Sequence, residues 1–118
     1  MGLKNLLTLK DLDRTSIEKL IDLGLKFKQD ENPSSFNGVF YCPVFLEPST
    51  RTMLSFETAA KRLGLETLSF NPGHSSTLKG ETLYDTLKTI ESMGTKVAVV
   101  RLKQEGILGE IADQLDMK

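Results

Sequence analysis

The stretch Val39-Phe40-Tyr41-Cys42-Pro43-Val44-Phe45-Leu46 runs straight into Glu47-Pro48-Ser49-Thr50-Arg51-Thr52-Met53, and this junction decides how the chain is read. Its first half is apolar almost throughout and rich in β-branched and aromatic residues, which predicts a strand buried on both faces. Pro43 has no N–H to give to a ladder, so a bulge or an unpaired side is expected there. The second half opens a helical pattern at Thr50. A helix start leaves N–H groups without intrahelical acceptors, and its dipole favours negative charge. Ser49, Thr50 and Thr52 add hydroxyls, and Arg51 adds a planar, permanently charged fork suited to phosphate oxygens. The junction therefore reads as an anion cradle, or as an ordinary Ser or Thr cap followed by a surface arginine; local chemistry supports both.

Upstream, Met1 to Leu12 is mixed and reads as an extended arm or a short turn. Thr15-Ser16-Ile17-Glu18 has capping-box spacing, and Ile17, Leu20, Ile21 and Gly24 follow at helical intervals, so a helix is expected to end near Lys28. Gln29 to Gly38 is polar and holds Asn, Pro, Ser and Gly, the composition of a loop.

Downstream, Met53, Phe56, Ala60 and Leu63 form one apolar stripe, which predicts a helix from Thr50 to Leu63 that stops at Gly64. Glu66 to Phe70 reads as a second strand, and Asn71 to Gly80 as a long polar loop. A third helix is expected from Glu81 to Met93, with Leu83, Leu87 and Ile90 inward and Gly94 as its stop. Val97 to Val100 reads as a buried strand ending in Arg101. The last helix is expected from Lys103 to Leu115, with Ile107, Leu108, Ile111, Ala112 and Leu115 inward.

Strand and helix alternate, with a helix before the first strand and after each one. That order predicts an α/β fold: a three-layer sandwich with a central parallel sheet, right-handed crossovers and helices on both faces. Open sheets of this kind bind ligands beyond the carboxyl ends of their strands. Ser49 to Thr52, the loop from Asn71 to Lys79, and Arg101 all fall at those ends. Their convergence favours the cradle over the simple cap. Arg101 ends a buried strand, where an unpaired charge is costly, so a partner or ligand is expected.

Composition narrows the classes. The 118 residues suit one domain, 1–118, and 39% hydrophobic with 26% charged residues is a globular balance. A net charge of -1 gives no global basic field, which argues against a nucleic-acid partner held by phosphate neutralisation. The one cysteine, Cys42, lies in the apolar run and has no internal disulfide partner; a buried thiol in a cytoplasmic protein is expected. No run of about 18 apolar residues could span a bilayer, so no membrane partner is expected. Neither a P-loop nor a Gly-x-Gly-x-x-Gly fingerprint occurs, and one histidine with one cysteine assembles no zinc spacing. His74 reads as an exposed loop residue.

Phe45-Leu46-Glu47-Pro48-Ser49-Thr50-Arg51-Thr52, followed by Leu54-Ser55-Phe56-Glu57, resembles the carbamoyl-phosphate signature of the aspartate and ornithine carbamoyltransferases. Ser75-Ser76-Thr77-Leu78-Lys79-Gly80-Glu81-Thr82-Leu83-Tyr84-Asp85-Thr86 resembles the active-site loop of the aspartate branch, and Val99-Val100-Arg101 resembles a third family block. The likeness spans essentially the whole chain. It implies transfer of the carbamoyl group from carbamoyl phosphate to the amine of L-aspartate in pyrimidine biosynthesis, with no metal, cofactor or covalent enzyme intermediate. It implies that Ser49, Thr50, Arg51 and Thr52 bind phosphate and that Thr52 and Arg101 reach the carbonyl oxygen. Ser75 and Lys79 are similar to residues given to a neighbouring subunit's site, which implies a homotrimer. Arg51, Thr52, Lys79 and Arg101 are then the catalytic set.

The sequence departs from that pattern in places. Met53 stands where the family commonly has a second arginine, and Leu102 where a histidine usually follows the strand-end arginine. The family's aspartate-binding domain is expected to be missing, so aspartate would bind only where that domain is present. The 118-residue chain alone is expected to be inactive, with an unpaired sheet edge. Two alternatives stay open: the corresponding domain of an ornithine enzyme, which Lys79-Gly80-Glu81-Thr82 argues against, and a non-catalytic phosphate-binding or oligomerising remnant.

Overall fold

The structure is a computed structural model and describes residues 4–29, 36–70 and 83–118. In chain order the elements are α1 (Arg14–Lys28), β1 (Phe40–Phe45), α2 (Thr50–Arg62), β2 (Glu66–Thr67), α3 (Leu83–Ser92), β3 (Thr95–Arg101) and α4 (Ile107–Ile111), closed by a 3-10 turn at Ala112–Gln114. The three strands are parallel in the order β2-β1-β3, flanked by the helices. The expected α/β architecture is present.

The apolar run becomes the central strand because it can be buried on every side. Tyr41, Cys42, Val44 and Phe45 are all buried, and Val44 is wholly inaccessible. Cys42 and Val44 pack with Leu87 and Ile90 of α3 and with Leu115 and Met117 near the chain end. Burying a side chain of this size contributes about 1.5–3 kcal/mol, so this cluster fixes the sheet against α3 and the C-terminal segment.

Several local expectations are corrected. Of the two outcomes expected at Pro43, a bulge or an unpaired side, the structure has the second, and the bulge lies instead at Phe40/Tyr41, where the register on β3 jumps from Thr95 to Val97. Pro43 is accommodated by alternation: Val39 and Tyr41 offer their carbonyls to Glu66 and Leu68, whereas the Leu46 N–H donates to the Arg101 carbonyl on β3. Odd-numbered residues of β1 therefore face β2, and β2 is too short to reach Pro43. α1 is capped by Asp13, whose Oδ1 accepts from the Ser16 N–H at 2.8 Å, two residues ahead of the Thr15 capping box that the sequence suggested. None of its residues is buried, and Ile21 of the expected inner stripe is 57% exposed. Phe56 of α2 is likewise exposed, leaving Ala60 as the buried residue of that helix.

β2 is two residues long instead of five, although Leu68 and Phe70 still pack on the core. The last helix is shorter than expected. Gly106 holds a left-handed φ of 79° and delays its start to Ile107, and the chain tightens into the 3-10 turn after Ile111. The start of the third helix expected at Glu81 lies outside the described residues.

Candidate functional site

Because β2 and β3 lie on opposite sides of β1, the carboxyl ends of β1 and β3 mark a topological switch point, the place where open sheets of this kind bind ligands. The two ends are held level: Phe45 pairs with Arg101, and the Leu46 N–H donates to the Arg101 carbonyl at 2.8 Å. Chain leaving β1 turns through Glu47 and Pro48 into α2, so the start of α2 stands beside the end of β3.

Ser49 is the N-cap of α2, with φ -159° and ψ 84°, but its side chain makes no capping hydrogen bond. The first helical bond runs from the Met53 N–H to the Ser49 carbonyl at 3.0 Å. The N–H groups of Thr50, Arg51 and Thr52 thus have no acceptor within the helix. The reading of Ser49 as an ordinary side-chain cap is not what the structure has. Thr50 and Arg51 are exposed and Thr52 is half-buried. Arg51 makes no ion pair among the described residues, and its own carbonyl accepts from the Ser55 hydroxyl at 2.9 Å. A helix start whose amides have no intrahelical acceptor, with hydroxyls beside them and a guanidinium in no ion pair among the described residues, can hold an anion.

Arg101 is exposed, and its partner is Glu47: Nε lies 3.5 Å from Glu47 Oε2. This carboxylate answers the expectation that a strand-end arginine needs a partner. Sequence reading passed over it as a site residue, although an acid immediately after the apolar run was a usable signal. The pair is open to solvent, with side-chain exposures of 43% and 32%, and exposed pairs of this kind contribute about 1 kcal/mol or less. An incoming anion can compete for Arg101 at small cost.

The structure thus brings Ser49, Thr50, Arg51, Thr52 and Arg101 to one edge of the sheet. Ser75 and Lys79 lie outside the described residues. Met53 is half-buried on α2, in keeping with a packing role, and Leu102 is also half-buried. Among the described residues, no three His, Cys, Asp or Glu side chains are gathered as a metal set. No described helix is long and apolar enough to cross a membrane.

Fold and site together define a parallel α/β domain with the start of α2 and the Arg101 end of β3 at its switch point. The chain belongs to the aspartate/ornithine carbamoyltransferase family: residues 4–117 match the family's carbamoyl-P binding domain. Among solved structures it is similar to the catalytic subunit of M. jannaschii aspartate transcarbamoylase, at 35% identity and TM-score 0.85 over 98% of this chain and 40% of that one. It is also similar to aspartate transcarbamoylase from Trypanosoma cruzi in complex with carbamoyl phosphate, at 31% identity and TM-score 0.81 over 97% of this chain and 38% of that one. The chain spans about two-fifths of the length of these relatives.

Proposed function

We propose that the chain is the carbamoyl-phosphate-binding half of an aspartate carbamoyltransferase. The observation that carries this reading is the start of α2, without a side-chain cap and with Arg51 in no ion pair among the described residues, set beside the Arg101 end of β3 at the sheet's switch point. Similar structures named aspartate transcarbamoylase, some in complex with carbamoyl phosphate, aspartate or both, support the aspartate branch over the ornithine one.

In this proposal the Thr50, Arg51 and Thr52 amides, the Ser49, Thr50 and Thr52 hydroxyls and the Arg51 guanidinium hold the phosphate. Arg101 and Thr52 polarise the carbonyl. The aspartate amine then attacks the carbonyl carbon, the C–O bond to phosphate breaks, and phosphate leaves as N-carbamoyl-L-aspartate forms. Positioning two reactants and stabilising the developing oxyanion supply the catalysis. Ser75 and Lys79, from the loop of a neighbouring subunit in a homotrimer, complete the phosphate site. Aspartate requires a second domain, and pyrimidine synthesis in the cytoplasm is the setting.

Calorimetric titration with carbamoyl phosphate tests the cradle. Saturable binding that is strongly weakened by Arg51→Ala is expected; identical isotherms for the two proteins would refute it. The shared site is tested in an intact parent enzyme, by mixing subunits defective only at Arg51 with subunits defective only at Lys79. Recovered activity is expected, and its absence counts against a homotrimer with donated loops.

A further inference from the structure

Residues 115–118 are held to the domain by two apolar side chains, two backbone hydrogen bonds to β3 and one carboxylate. After the 3-10 turn the backbone becomes extended, with Leu115 at φ -112° and ψ 144°. Leu115 and Met117 enter the core while Asp116 and Lys118 face outward, a period of two. The Lys118 N–H donates to the Lys96 carbonyl and the Ala98 N–H to the Lys118 carbonyl, both at 2.8 Å. This is parallel pairing around Val97, on the edge of β3 away from β1. The edge expected to be unpaired therefore already carries the first rung of a fourth strand.

Glu91, near the C-terminal end of α3, reaches this segment from 25 and 26 residues away. Its Oε2 accepts from the backbone N–H groups of Asp116, at 2.5 Å, and Met117, at 3.0 Å. Its Oε1 accepts from Lys88 Nζ at 2.7 Å, and its side chain is only 14% exposed. Successive amides in a regular strand point to opposite sides, so two of them meet on one oxygen only where the chain bends. Glu91 marks that bend. An acid in the last turn of a helix opposes the helix dipole, so within α3 its one favourable contact is the i,i+3 pair with Lys88. Its bonds are to the tail and to Lys88.

We infer that Glu91 is a positioning residue that latches residues 116 and 117 to α3 and so sets the register in which a fourth strand joins the edge of β3. A slip of one residue would turn Leu115 and Met117 to solvent and Asp116 into the core. The latch and the two apolar side chains select the same register. Lys88 orients the carboxylate from the same helix.

Amide hydrogen exchange on the 118-residue chain, compared among wild type, Glu91→Ala, Glu91→Gln and Lys88→Met, tests the latch. In Glu91→Ala, protection at the Ala98 and Lys118 amides should fall about tenfold or more, while the Val44 and Leu46 amides of the central strand keep wild-type protection. Glu91→Gln keeps an acceptor oxygen, remains folded where the alanine variant is too weak, and should lose part of that protection. Lys88→Met leaves both backbone bonds and should lose least. Wild-type exchange at Ala98 and Lys118 in the Glu91 variants overturns the inference. So does an equal loss across the whole sheet, which would make Glu91 a general stabiliser and not a latch.

Discussion

Arg101 Nε stands 3.5 Å from Glu47 Oε2, so the end of β3 is tied to the turn that leads from β1 into α2. The carboxylate occupies the cation that the proposed carbonyl contact requires. Removing its charge in Glu47→Gln should leave Arg101 free and relieve repulsion on a bound anion. A like charge a few ångströms away in a solvent-exposed site is worth about 1 kcal/mol, so carbamoyl phosphate should bind roughly fivefold more tightly. Titration calorimetry checks this, and weaker binding by the glutamine variant would contradict the competition.

Arg51→Ala removes an exposed guanidinium with no ion-pair partner among the described residues. Hydrogen bonds to charged groups are worth about 1.5–3 kcal/mol, so affinity for carbamoyl phosphate should fall roughly 10- to 150-fold. The urea midpoint should stay within error of wild type. Arg51→Lys should recover only part of the loss, because an ammonium cannot form the bidentate fork.

Leu87 is 1% exposed and packs in the same cluster as Cys42 and Val44. Leu87→Ala should cost about 2–5 kcal/mol, a large share of the total for a domain of this size. Leu54, 54% exposed on α2, should tolerate alanine within about 0.5 kcal/mol. Urea denaturation of the two variants measures the contrast.

Lys88, followed by the Met117 and Asp116 amides, holds the Glu91 carboxyl down at about 2, against an ordinary 4.5. The group binds its proton more weakly folded than unfolded. Its stabilisation is therefore complete above about pH 4.5 and is lost as pH falls toward about 2. Denaturation midpoints across that window should drop steeply for wild type and less for Glu91→Gln. Equal acid slopes would show that Glu91 is not linked to folding.

Burial pushes the Cys42 thiol up to about 11, and the residue is 1% exposed. A thiol reagent at about pH 8 should leave it unmodified in the native chain and label it fully in denaturant. Fast native labelling would contradict the packing of β1.

The alternation of apolar runs and helical stripes determined the parallel α/β fold, because burying a strand on both faces requires an unbroken apolar run such as Val39 to Leu46. Ser49 to Thr52 and Arg101 were legible for a related reason: strand ends and helix starts are fixed by local pattern, and ligands gather there. The β2-β1-β3 order, which puts the ends of β1 and β3 side by side, came only from tertiary pairing. So did the placement of the bulge at Phe40/Tyr41, because a register jump depends on which strand lies opposite. The short α4 reflects Gly106 taking a left-handed φ, where the period alone suggested a longer helix. Glu47 meets Arg101 across 54 residues, and Glu91 meets Asp116 across 25. Neither distance leaves a periodic trace, since a hydrogen bond or ion pair between remote segments exists only once the sheet and its helices have brought them together.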